Sequence, residues 1–239
     1  AADYPSDPLN SPMWRELAKK SFGDAPVVFD TNVKVVVPDV VEAQAQVPIS
    51  ADARALPNVQ QLIILTDLNP VQHVATFRPV PGKAEPFISL RIKVEQATPV
   101  RAAALTSDGV WHVGGVFLDA AGGGCSSPAL ARQDADWSAT LGDAQGRIWR
   151  HADGTARLRL RVRHPMDTGL AKDNTPAFFI EELVVKNSTG DALATVEMFE
   201  PVSEDRAITL TIKPAASDAS INVDGRDNNG NVYRSLIPV

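Results

Sequence analysis

Cysteine is all but missing from this sequence. Cys125 is the single thiol among 239 residues, so no internal disulfide can form, and four scattered histidines (His73, His112, His151 and His164) cannot complete a closed zinc site with it. An excess of positive charge is missing too. Lys and Arg number 23 against 29 Asp and Glu, a formal charge of −6 that repels phosphate backbones and anionic bilayers alike. Both signs are shared nearly evenly between the two halves, so neither half is a basic nucleic-acid module. The longest weakly charged stretch, Gly109 to Ala131, contains six glycines, His112, Asp119 and Pro128, a mixture no transmembrane helix tolerates. Also absent are a phosphate-binding glycine loop, a serine-nucleophile motif and HExxH. The run Asp224 to Asn231 lacks EF-hand spacing and reads as a turn. An ordinary enzyme has little support.

What is present is the composition of a globular protein, 44% apolar and 22% charged, long enough for two domains at roughly 150 residues each. The opening Ala1-Ala2-Asp3-Tyr4-Pro5 is what remains after signal cleavage, and equally what trimming would leave; export is the expectation. Ser11 and Pro12 can start a helix that places Trp14, Leu17 and Ala18 on one face before Gly23 stops it. From there the pattern is strands: Val33 to Val37, Val47 to Ser50, Leu62 to Thr66, His73 to Phe77, Phe87 to Val94, Val100 to Leu105 and Val110 to Leu118, separated by Pro, Asn-Pro and Asp-Gly punctuation. Strands at this spacing predict a β-sandwich. Asp119 to Leu141 carries no sustained alternation. A second series then runs Arg147 to Trp149, Ala156 to Val162, Phe178 to Val185, Leu193 to Phe199, Ile208 to Ile212, Ile221 to Val223 and Val232 to Ile237. The expectation is an all-β chain: a first sandwich with a short N-terminal helix over 1–118, a glycine-rich arm or linker over 119–141, and a second sandwich over 142–239.

The segment Gly122-Gly123-Gly124-Cys125-Ser126-Ser127-Pro128 sets the only cysteine among small neighbours that predict an exposed, mobile thiol with an ordinary pKa near 8.5. The nearest ionisable residues in sequence, Asp119 and Arg132, offer no activation for a catalytic cysteine. A thiol on a glycine-rich arm fits a handle presented to other proteins. His73 and His112 fall in strand-like runs and His151 precedes a turn. His164 opens the compact loop His164-Pro165-Met166-Asp167-Thr168-Gly169 and could approach Cys125 across the two halves. Arg157, Arg159, Arg161 and Arg163 alternate with Leu158, Leu160 and Val162, so the four share one face of a strand. They are either a solvated face with cross-strand partners such as Glu181 or Glu182, or a docking surface for an acidic partner or anionic adduct.

A sandwich ending in Gly-Gly-Cys, followed by a sandwich containing His-Pro-Met-Asp-Thr-Gly, resembles the two subunits of the SoxYZ sulfur-oxidation carriers joined in one chain. The Y-like part shows in Val47-Pro48-Ile49, Asn69-Pro70 followed by Val74-Ala75-Thr76-Phe77, Ser107-Asp108-Gly109 and Gly123-Gly124-Cys125; the Z-like part shows in His164 to Gly169 and the closing strands. The single-chain arrangement is similar to the SoxYZ-like carriers associated with quinoprotein dehydrogenases. That resemblance implies two packed immunoglobulin-like sandwiches, a periplasmic location, no cofactor and no metal. It implies a sulfur species, as in thiosulfate oxidation, bound covalently at Cys125, with Gly122, Gly123, Gly124 and Ser126 as the flexible arm. Implied partners are periplasmic sulfur-metabolising or quinoprotein dehydrogenase-associated proteins, and a disulfide-linked homodimer through Cys125 is allowed. Unlike a terminal arm, this one is followed by Ser126-Ser127-Pro128 and a whole domain, so it is tethered at both ends. The residues leave two other readings open: a thiol redox protein or sensor, and a non-catalytic accessory module.

Overall fold

The computed structural model describes residues 3–204 and 207–239; Ala1 and Ala2, part of the start read as a cleaved end, lie outside the described residues. One helix, α1 (Trp14–Phe22), is followed by β1 (Val27–Phe29), β2 (Lys34–Val36), β3 (Val47–Asp52), β4 (Val59–Thr66), β5 (His73–Pro79), β6 (Ala84–Ile92), β7 (Thr98–Thr106) and β8 (Trp111–Leu118). After a 3₁₀ turn at Leu130–Gln133 come β9 (Ala144–Arg150), β10 (Ala156–Val162), β11 (Ile180–Lys186), β12 (Ala192–Met198), β13 (Ile208–Ile212), β14 (Ser220–Asp227) and β15 (Val232–Pro238). Strands with one wet face alternate, as in β10, where Ala156, Leu158 and Leu160 point inward and the arginines outward. By contrast β4 is buried on both faces. Its Leu62 and Ile64 join the core between the sheets, while Ile63 and Leu65 pack under α1 with Trp14, Leu17 and Phe22. Ser11 does not cap α1 as an N-cap residue; its carbonyl and hydroxyl accept from the Trp14 and Met13 N–H groups one turn earlier.

The expected pair of immunoglobulin-like sandwiches is present, but the two are not separate bodies touching through an apolar interface. Nine strands form one sheet in the order β1-β8-β7-β4-β5-β12-β11-β14-β15, and six form the other in the order β2-β3-β6-β13-β10-β9. Both sheets run without a break from the first half into the second. The joints are antiparallel: β12 on β5, from Ala194 opposite Pro79 to Met198 opposite Ala75, and β13 on β6, with Thr209 opposite Ser89 and Leu210 opposite Ile88. A single apolar cluster follows them, from Ile49, Phe77 and Ile88 through Leu158 and Val196 to Ile221 and Ile237. Each half alone would expose two strand edges, which the other half closes.

Candidate functional site

Chain direction brings one end of the six-stranded sheet together with the cysteine segment. Because β13 is antiparallel to both β6 and β10, those two strands run the same way, and their C-terminal ends meet at one rim. Lys93 follows β6 there, and the loop His164 to Gly169 follows β10. After β8 the chain returns to this rim and docks on it. The Gly122 N–H donates to Gln44 Oε1 (2.9 Å), the Gly123 N–H to the Glu95 carbonyl (3.1 Å) and the Gly124 N–H to the Val94 carbonyl (2.8 Å). A Cβ at Gly122 would stand 2.1 Å from the Glu95 oxygen, and one at Gly124 2.1 Å from the Gln44 oxygen. These glycines therefore serve close backbone approach. The expectation of a free, mobile arm is corrected here: composition signalled glycine, and the reason for glycine is docking.

The thiol sits beneath this segment. Cys125 is 1% exposed, against the expected accessible thiol, and its Sγ lies 3.6 Å from the Lys93 carbonyl oxygen as donor. Burial, reinforced by the Glu95 carboxylate and partly opposed by the Lys93 ammonium, pushes its pKa up from 9.0 to about 12. At neutral pH the covered group is a protonated, unreactive thiol rather than an ordinary one. In this position it also cannot reach the cysteine of a second copy. Glu95 accepts from both the N–H and the hydroxyl of Ser126 (3.0 Å each), and the Ser127 hydroxyl donates to the Gly123 carbonyl (2.7 Å). Thr168, in the second half, donates its hydroxyl to the Cys125 carbonyl oxygen at 2.5 Å. Further along, Glu204 accepts the Leu130 and Ala131 N–H groups at 2.6 and 2.9 Å. Arg132 forks onto Asp167 at 2.6–3.1 Å while stacking on Trp137.

The loop His164 to Gly169 thus covers the cysteine through Thr168, Asp167 and Met166, whose carbonyl oxygen accepts from the buried Lys93 ammonium. Pro165 and Gly169 shape that loop, with Gly169 at φ 79° and Met166 itself at φ 49°. His164 is not a partner for the thiol. Its Nε2 faces Asp227 Oδ2 at 3.2 Å, and its Nδ1 accepts the Met166 N–H at 3.0 Å. Burial holds its pKa down to about 4 against the pull of Asp227, so at neutral pH it is a neutral structural histidine. His112 likewise pairs with Asp30, at 2.8 Å.

Sequence reasoning missed Lys93, Glu95, Gln44 and Glu204. Arg91, Lys93 and Glu95 alternate with Ile92 and Val94, which marks an outward face but not what lies on top of it. Asn69 gave a signal through Asn69-Pro70. Its amide holds the rim, donating to the Lys93 carbonyl and accepting the Glu95 N–H, each at 2.9 Å. The partners expected for the arginine row are corrected: Glu181 and Glu182 belong to β11 in the other sheet and pair with Arg226. Among the described residues no group of three or more His, Cys, Asp or Glu gathers for a metal, and no helix is long and apolar enough to cross a membrane.

Two family models match the chain. Residues 18–125, ending on Cys125, match "Sulfur oxidation protein SoxY", and residues 147–237 match "Sulphur oxidation protein SoxZ". No curated protein matches in sequence. Among solved structures, the sulfur carrier protein SoxY from Chlorobium limicola f thiosulfatophilum is similar at 20% identity, covering 45% of this chain and 94% of that one, with a TM-score of 0.40. A glycosyl hydrolase family 2 member from Bacteroides cellulosilyticus DSM 14838 is similar at 14% identity over 86% of this chain and 28% of that one, with a TM-score of 0.26. The weight rests on the family matches, which together span most of the chain and are to carrier rather than enzyme families. A SoxY domain and a SoxZ domain follow one another in a single polypeptide, and the chain belongs to the SoxYZ-type sulfur-oxidation carriers.

Proposed function

We propose that Cys125 is the attachment point of a covalently bound sulfur group, carried in the periplasm between sulfur-metabolising or quinoprotein dehydrogenase-associated enzymes. One observation carries this reading: the only thiol is held at the joint of the SoxY and SoxZ domains by a segment fastened mainly through polar contacts at Glu95, Thr168 and Glu204, which water can replace when the segment lifts. Lifting exposes the sulfur and lets its pKa fall towards that of a free thiol. Gly122, Gly123, Gly124 and Ser126 are then the stretch that must move, and the family loop His164 to Gly169 is the surface they leave. The opened thiolate attacks the outer sulfur of a donor persulfide; one S–S bond forms, the donor S–S bond breaks, and the donor leaves as its thiolate. Coupling to thiosulfate instead removes two electrons, which an acceptor on the partner enzyme takes up.

A sensor reading fares worse, because redox-sensing cysteines are accessible and of low pKa, and Cys125 is neither. A disulfide-linked homodimer requires the same opening. The test is intact mass after incubation with a low-molecular-weight persulfide, followed by reductant. A reducible gain of about 32 Da is expected on the wild-type chain and none on Cys125→Ser. Equal loading of the serine variant would remove Cys125 from the reading.

A further inference from the structure

The outer face of the six-stranded sheet is basic on its β9–β10 side, whereas on its β3–β6 side Asp52 and Glu85 pair with Arg54. On β10 the side chains of Arg157 and Arg159 point outward, and the register sets Arg157 between Trp149 and Thr211, and Arg159 between Arg147 and Thr209. One strand further, Ser89 lies beyond Thr209, with the exposed Arg91 two residues on. Among the described residues, the register sets no carboxylate beside Arg157 or Arg159. Arg147 directly opposes Arg159, and like charges so placed destabilise a sheet. The other sheet shows the contrary habit: Arg78 pairs with Glu197, Lys186 with Asp224, and Arg226 with Glu181 and Glu182. Trp149 receives Arg147 and Arg157 on its ring at 4.9 and 5.1 Å. Arginine and tryptophan are the side chains that carry most binding energy at protein interfaces.

We propose that this face, centred on Arg147, Arg157, Arg159 and Trp149 with Arg91 at its side, docks an acidic face of a partner protein on the sheet whose strand ends form the rim where Cys125 is covered. Along β10 the arginines recur about every 6.8 Å, the pitch at which carboxylates recur on one face of an extended strand. Each guanidinium can take a carboxylate through two parallel hydrogen bonds. The patch is local. The chain carries −6 and these four arginines contribute +4, so the remainder carries −10 and repels any polyanion or anionic bilayer that extends past the patch. A protein with a confined acidic cluster meets no such penalty. A second copy is a poor fit because the acids of the opposite sheet face are already paired. Direction adds the functional link, since β6 and β10 both run from this face to the rim bearing Lys93 and the loop His164 to Gly169.

The docking surface rests on the carrier reading only for the transfer that docking would permit, and binding alone tests it. The probe is a fluorescein-labelled extended peptide of alternating Glu and Thr, about 16 residues long, titrated with the full chain by anisotropy. Binding is expected to weaken about tenfold between about 50 and 200 mM salt. The double variant Arg147→Gln/Arg159→Gln, which also removes the opposed like charges and so keeps or gains thermal stability, is expected to bind at least about tenfold more weakly. Arg226→Gln, on the other sheet, and Cys125→Ser are expected to bind as the wild type does, so loss of cargo loading and loss of docking are read separately. Unchanged binding by the double variant, equal loss with Arg226→Gln or Cys125→Ser, or tighter binding to phosphatidylglycerol vesicles than to the peptide would each overturn the proposal.

Discussion

Arg101 and Lys93 are two buried cations of the SoxY domain, and they are held in opposite ways. Arg101, 1% exposed, receives Asp67 on Nε and Nη2 (2.8 and 3.0 Å) and Asp7 on Nη1 and Nη2 (2.8 and 2.7 Å), with Trp14 of α1 stacked over it at 4.5 Å. Burial works to lower its pKa, yet the two carboxylates outweigh burial and hold it above the usual value. Asp7 also accepts the Leu9 and Ser11 N–H groups, so this cluster ties the N-terminal segment to the sheet. Lys93 donates to a neutral carbonyl, that of Met166, and burial draws its pKa below the usual value despite Glu204, Cys125 and Asp167 nearby. The first cation gains nothing from exposure. With the segment lifted as the carrier proposal requires, the second would regain water, and that gain would offset part of the cost of lifting. A lock and a tensioned cover are thus built from the same ingredient, a buried positive charge, by changing how many carboxylates touch it.

The largest break in this comparison is expected at the lock. Arg101→Met leaves Asp7 and Asp67 facing each other in an apolar setting, and breaking such a buried pair removes about 3–5 kcal/mol. Urea unfolding of the full chain measures it, and a loss under about 1 kcal/mol would show that the carboxylates find other partners.

A third buried base sharpens the contrast, because His164 escapes the problem by staying neutral. Its pKa is depressed from 6.5 in the unfolded chain to about 4 in the fold, so its contribution is complete above about pH 6.5 and is lost as pH falls from there to about 4. The loss is on the order of 3 kcal/mol. His164→Gln keeps a donor for Asp227 without titrating, so the difference between variant and wild-type unfolding curves is expected to change across that window. A pH-independent difference would mean that the imidazole titrates normally.

These buried groups also mark where sequence reading stops. Every strand from Val33 to Ile237 was legible because alternation and turn residues are local. β1 was not, since Val27–Phe29 pairs in parallel with β8 and nothing in three residues announces a partner over eighty positions away. The merging of the two sandwiches was hidden likewise, because Ala75 opposite Met198 is a register choice between distant strands. At the site, Cys125, the glycines and the loop His164 to Gly169 were found, but exposure was inferred from small neighbours. Smallness has a second meaning, close approach, and only the Gln44 and Glu95 carbonyls reveal it.

Among changes to the cover itself, Glu95→Gln has the larger expected effect. It weakens the pair of hydrogen bonds to Ser126 and removes the negative charge that helps raise the thiol pKa, so both consequences speed reaction. Native-state labelling of Cys125 at constant pH is expected to accelerate about tenfold, the equivalent of one lost charge-assisted hydrogen bond. An unchanged rate would mean that Glu95 does not hold the segment down.

The smallest effect on stability, and the sharpest test of the comparison, is expected at Lys93. Replacing it by Met keeps the stem volume, removes a buried charge that the fold disfavours and leaves the Met166 carbonyl without its donor. The two changes oppose, so unfolding free energy is expected to stay within about 1 kcal/mol of the wild type, in contrast to Arg101→Met. Labelling of Cys125 should nevertheless slow, because lifting the segment no longer rehydrates a cation and the thiolate loses the one nearby charge that favours it. Stability and thiol accessibility therefore separate at this residue. A Lys93→Met chain that unfolds several kcal/mol more easily would place Lys93 beside Arg101 as a lock. One that labels faster than the wild type would show that Lys93 helps hold the segment down rather than straining it.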